Sequence, residues 1–146
     1  MKLAIIGSRS YTNRRKIKQF LFDIRLKQPD TEIVSGGADD GADKYAKQVA
    51  LEFELKYTEF PPEHESYNMY CVKEPHHYGK PYNVGYYHKR NKELVEYVDK
   101  VIAFCTDGVV TNGTKSALEH CEKIQKKYII LDWLYIFIYR LWKKIN

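Results

Sequence analysis

Two short stretches carry most of the chemistry this chain could perform. "SGGADDGAD" (35–43) sets glycines among carboxylates between an apolar run and a helical pattern, and "TNGT" (111–114) repeats the arrangement later. A glycine-rich turn that opens a helix brings backbone N–H groups and the positive end of the helix dipole together, which suits a phosphate. The same residues can also make an ordinary turn, with Asp39 and Asp40, or Thr114, acting as helix caps. Arg9 follows "IIGS" directly, and Arg90 and Asn91 sit in "YYHKRNKEL". Either arginine could fork onto a phosphate or carboxylate, and Arg90 could equally be a helix-surface cation. The tyrosines from Tyr67 to Tyr87 could stack on a base or serve as half-buried packing. His64, His76, His77 and Cys71 match no zinc spacing, so no metal or other cofactor is expected.

These residues need a frame. "KLAIIGS" (2–8), "TEIVS" (31–35), "LKYTEF" (55–60), "DKVIAFC" (99–105) and "YIIL" (128–131) read as strands. Helical spacing covers 13–28, 41–54, 85–98, 114–127 and 132–145, the last with Asp132 as its N-cap. Strands alternating with helices predict an α/β fold: a Rossmann-like, doubly wound sheet of about five mainly parallel strands, with helices on both faces. Such sheets bind ligands beyond the carboxyl ends of their strands. Those ends carry "GSRS", "SGGADDG", "FPPE" and "TDGVVTNGT", three of them rich in Gly, Ser or Thr. Residues 61–85 lack a period and read as a long loop with one short helix.

Composition sets wider bounds. At 146 residues the chain has the length of one domain, and its net charge of +5 is scattered rather than gathered into a stripe. Nucleic acid is thus possible as a partner but not favoured. Three cysteines without a CxxC pair fit a reducing, cytoplasmic setting. "WLYIFIY" is too short to cross a bilayer, so no membrane partner is expected. The apolar run 133–142 instead predicts an interface, with Trp133, Tyr135, Ile136, Tyr139 and Trp142 in a two-fold homodimer or a higher homo-oligomer.

The order of "IIGSRSYTN", "IVSGGADDGADKYA", "YGKPYNVGYYHKRNKEL" and "DKVIAFCTDGVVTNGTKSALE" resembles the SLOG superfamily, and within it the YspA-like branch. The resemblance implies a nucleotide or nucleotide-derived ligand held against the sheet. It places the nucleotide-binding role on Gly7, Ser8, Arg9, Ser35, Gly36, Gly37, Ala38, Gly41, Asp43, Arg90, Asn91, Thr111, Asn112, Gly113 and Thr114. Gly36, Gly37, Gly41, Gly113 and Thr114 would cradle phosphate, and Asp43 would face a ribose hydroxyl. The family's phosphoribohydrolases carry P-G-G-x-G-T-x-x-E, and here Ala117 stands where their catalytic glutamate would be. Glu119 lies about 200° further round the helix and cannot replace it. The resemblance therefore favours binding, as a sensor, a carrier or a sequestering protein, which in a virus would act in the host cytoplasm. Cleavage of an N-glycosidic bond is the alternative, with Asp43, Asp107 and Arg90 as its catalytic candidates. Single-stranded nucleic-acid binding, in the manner of the superfamily's DprA proteins, is the third reading.

Overall fold

A computed structural model describes residues 1–131 and 143–145. Five strands form one sheet: β1 (Lys2–Gly7), β2 (Glu32–Ser35), β3 (Lys56–Glu59), β4 (Lys100–Phe104) and β5 (Tyr128–Leu131). Its order is β3-β2-β1-β4-β5, and every pairing is parallel. The helices α1 (Arg14–Lys27), α2 (Gly41–Glu52), α3 (Gly85–Tyr97) and α4 (Asn112–Lys123) make the crossovers. This is the doubly wound α/β fold expected from the alternating pattern. Strand order reverses between β1 and β4, so the crevice outside Gly7 and Phe104 is the switch point of the sheet.

The central strands β1 and β4 are apolar on both sides because both faces are covered, whereas the edge strand β3 is Lys-Tyr-Thr-Glu. Leu3, Ile5, Ile33, Ile102 and Phe104 pack with α1 and α2 residues such as Ile17, Phe20, Leu21 and Val49. The alternate residues Ala4, Ile6, Val34, Val101 and Ala103 pack with Leu94, Val95, Leu118 and Cys121 of α3 and α4. Phe104 anchors the first layer, with ring centroids 5.8 Å from Tyr11 and 5.9 Å from Phe20.

Helix α4 departs from its expected bounds at both ends. The sequence pattern starts it at Thr114, whereas the helix begins two residues earlier, at Asn112, with Thr111 in the N-cap place and extended backbone there. Thr114 therefore lies inside the first turn, buried, rather than at the cap. The helix stops at Lys123, short of the expected 127, and Gln125 takes a positive φ of 57° as the chain turns into β5. The expected helix over 132–145, its Asp132 cap and the interface residues Trp133, Tyr135, Ile136, Tyr139 and Trp142 lie outside the described residues, apart from helical residues 143–145. Among the described residues, no helix is long and apolar enough to cross a membrane.

Between β3 and α3 the chain makes one short 3-10 turn, Pro75–His77. Two carboxylates hold this stretch in place. Glu59, at the end of β3, pairs with Lys47 at 2.9 Å and accepts a hydrogen bond from Asn68 Nδ2 at 3.2 Å. Its backbone pairs with the loop, since Glu59 N donates to Tyr70 O and Val72 N donates to Glu59 O. Glu63 is buried and gathers Lys80 at 2.7 Å, Lys89 at 2.5 Å and Lys73 at 3.8 Å. Burial pushes the Glu63 carboxyl up, but the bonds from Lys80 and Lys89 and the charge of Lys73 outweigh it and hold the carboxyl at about 2. A depressed carboxyl stabilises the fold above its ordinary 4.5 and loses that contribution as pH falls towards about 2. Glu63→Gln is therefore expected to speed proteolysis within 61–84 at neutral pH. The difference from the unaltered protein should shrink as pH falls through that window, and equal cleavage rates at pH 7 would remove Glu63 from this role.

Candidate functional site

A cavity of about 340 Å³ opens at the switch point. Its walls come from the ends of β1 and β2 and from the starts of α2, α3 and α4. Of the residues expected from sequence, it brings together Gly7, Ser8, Arg9, Gly36, Ala38, Asp43, Arg90, Asn91, Thr111, Gly113 and Thr114. Ile6, Leu94 and Ala117 give it an apolar floor, and Tyr87 forms one side.

Arg90 organises the wall between β2 and α3. Its Nη1 donates to Gly36 O at 2.5 Å and to Phe60 O at 3.2 Å, and its Nε donates to Asn91 Oδ1 at 2.9 Å. Asn91 in turn donates to Gly113 O at 3.4 Å, which ties α3 to the first turn of α4. A Cβ on Gly36 would stand 2.4 Å from Arg90 Nη1 and 2.8 Å from Asp43 Oδ2, so only glycine lets these groups close around the loop. Asp43 accepts from Ala38 N at 3.2 Å. Burial pushes its carboxyl up, against the pull of Arg90, while burial lowers the Arg90 guanidinium against the pull of Asp43.

Arg9 differs from Arg90 in being exposed. Its guanidinium lies 5.5 Å from the Tyr87 ring centroid, and Arg90 lies 5.9 Å from the same ring. The Tyr87 hydroxyl raises the Arg9 pKa, with Asp40 and Asp43 adding to the effect against burial. Arg9 is thus charged and held at the cavity mouth.

The two glycine loops differ in what their N–H groups already bind. In the first, Gly37 N donates to Ser35 Oγ, Ala38 N to Asp43 and Ala42 N to Ser8 O. Asp40 holds the N-cap place of α2 but makes no capping bond through its side chain. In the second, Thr111 makes no capping bond either, and its hydroxyl meets Thr114 Oγ1 at 3.4 Å.

Other expected site residues lie outside this cavity. Ser35 is buried, its hydroxyl 2.6 Å from Tyr57 Oη. Gly41 packs on the Ser8–Arg9 backbone, and Asn112 is exposed in the first turn of α4. Asp107 sits at φ 53° on an exposed turn and does not line the cavity. Gly37 faces Glu59: at φ 76°, a Cβ there would stand 2.4 Å from Glu59 Oε2. Gly37→Val is accordingly expected to cost stability, about 1–3 kcal/mol from backbone strain alone. Thermal unfolding would check this, and an unchanged Tm would show that the loop absorbs the side chain.

Glu59 and Lys47 are absent from the residues that the sequence pattern singles out. The available signal is a carboxylate at the C-terminal end of a strand, in "YTEF", where such sheets place their ligands. Among the described residues, no group of His, Cys, Asp and Glu could hold a metal ion.

Residues 1–67 match the model of the YspA, cpYpsA-related SLOG family. The match spans β1 to β3 and includes Arg9 and the first glycine loop, so the resemblance read from the sequence is shown there. No curated protein matches the chain. Among solved structures, the chain is similar to the molybdenum cofactor binding protein from the phototrophic bacterium Rippkaea orientalis. The two share 21% identity at a TM-score of 0.68, over 94% of this chain and 81% of that one. At that identity the likeness establishes the Rossmann-like fold.

Proposed function

We propose that this protein binds a nucleotide or nucleotide-derived small molecule in the switch-point cavity, as a sensor, carrier or sequestering protein. One observation carries the reading: exposed Arg9 and the start of α4, which has no side-chain cap, line the same cavity above an apolar floor. The first would pair with a phosphate and the second would donate N–H groups to it. Ile6, Leu94, Ala117 and Tyr87 offer a base its apolar and aromatic contacts. Asp43 would accept from a ribose hydroxyl. In the first glycine loop Gly37, Ala38 and Ala42 already donate within the protein, which favours the α4 end for the phosphate. The SLOG match and the cofactor-binding role of the Rippkaea protein both support a small-molecule ligand. Calorimetry with matched nucleosides and nucleoside monophosphates tests this. Binding should require the phosphate, and equal affinity for both members of a pair would reject it.

A second reading has one observation behind it. Asp43 lines the cavity with its carboxyl raised by burial, which suits a proton donor to a leaving base. Release of free base from a nucleoside monophosphate, abolished by Asp43→Asn, would establish N-glycosidic cleavage. The occupation of the glutamate position by Ala117 favours binding alone.

The reading includes a two-fold dimer, supported by the apolar sequence 133–142. Light scattering should give twice the monomer mass at micromolar concentration, and Ile136→Glu with Tyr139→Glu should halve it. A monomer would reject the dimer.

A further inference from the structure

A second cavity, of about 410 Å³, adjoins the first. Arg9, Ala38, Asp40 and Arg90 line both, so these residues form a shared waist. Each cavity alone stands near the lower end of the roughly 300–1,000 Å³ that engulfs a small molecule. A ligand filling both would be about twice the size of one filling either.

The two compartments differ in chemistry. The first has the apolar floor of Ile6, Leu94 and Ala117. The second is lined by Lys47, Glu59, Ser66 and Asn68, with Asp39 and Glu65 exposed at its edge. Beyond Arg9 at the waist, its cations are already engaged: Lys47 pairs with Glu59 at 2.9 Å, and Arg90 donates to Gly36 O and Phe60 O. The carboxylates Asp39, Asp40 and Glu65 disfavour a second phosphate there. They accept hydrogen bonds well, and Ser66 and Asn68 add neutral polar groups. That combination suits hydroxyl groups. The exposed guanidinium of Arg9, at the waist, suits the anion joining the two halves.

Resting on the nucleotide reading above, we propose that the ligand is a sugar-linked nucleotide: base in the first cavity, linking phosphate at Arg9, and a polyhydroxylated group in the second cavity. Glu59 pairs with Lys47 and accepts from Asn68, which ties these three lining residues together.

Calorimetry with three matched pairs tests this: ADP and ADP-ribose, GDP and GDP-mannose, UDP and UDP-glucose. In at least one pair the sugar-bearing member should bind about tenfold more tightly. Ser66 is exposed and lines the second cavity alone, so Ser66→Trp should fill that space and leave the fold intact. In that variant the advantage should vanish while the bare diphosphate keeps its affinity. If the diphosphates bind and the sugar adds nothing, or if Ser66→Trp preserves the advantage, the two-compartment ligand is wrong and the nucleotide reading survives. If none of the six binds, both fall.

Discussion

Arg90→Met is expected to cost about 3 kcal/mol of stability, since charge-assisted bonds are lost and a carboxylate is left without its counter-charge. Methionine keeps much of the length but none of the donors. Gly36 O, Phe60 O and Asn91 Oδ1 would lose their partner, and Asp43 would keep a charge that burial already disfavours. For a chain of this size the loss should lower Tm by on the order of 10 °C. Adding Asp43→Asn should recover part of it, because the second change removes the stranded charge. A single variant as stable as the unaltered protein would show that Arg90 is not what closes the loop at Gly36.

Arg9→Ala should behave in the opposite way. Arg9 is exposed and its guanidinium faces the Tyr87 ring, so its removal should leave Tm almost unchanged. Ligand affinity should fall by about 1.5–3 kcal/mol, the value of a charge-assisted hydrogen bond, or roughly 10- to 150-fold. Arg9→Lys should recover only part, because an ammonium lacks the planar fork. Raised salt should weaken binding to the unaltered protein more than to Arg9→Ala. Unchanged affinity in a folded Arg9→Ala would remove this residue from the site.

The contrast between these arginines is only half legible in the sequence. Arg9 follows the glycine that ends β1, Arg90 lies within α3, and both are candidates for an anion by residue type. Which one is spent inside the protein depends on carbonyls at Gly36 and Phe60, far from Arg90 along the chain. The central strands β1 and β4 are legible because each is a short apolar run ended by a turn, and parallel strands covered on both faces require such runs. The start of α4 is harder to place because Thr111 and Thr114 are equally good caps by type, and backbone direction decides between them. Glu59 and Glu63 are invisible as buried groups. Carboxylates are rarely buried unless paired, and the pairing lysines at 47, 73, 80 and 89 stand at no regular spacing from them. Gly37 reads as an opening for a ligand, whereas its missing side chain makes room for Glu59.

Backbone amide NMR tests the central claim most directly, because it reports where a ligand sits as well as whether it binds. Nucleoside monophosphates and the three sugar-linked nucleotides would be titrated into isotope-labelled protein. The account predicts that the largest shifts fall at Gly7–Arg9 and at Asn112–Thr114, and that Arg9→Ala moves their midpoint to roughly 10- to 150-fold higher ligand concentration. Shifts confined to other surfaces, or none across the panel at millimolar concentration, would contradict it.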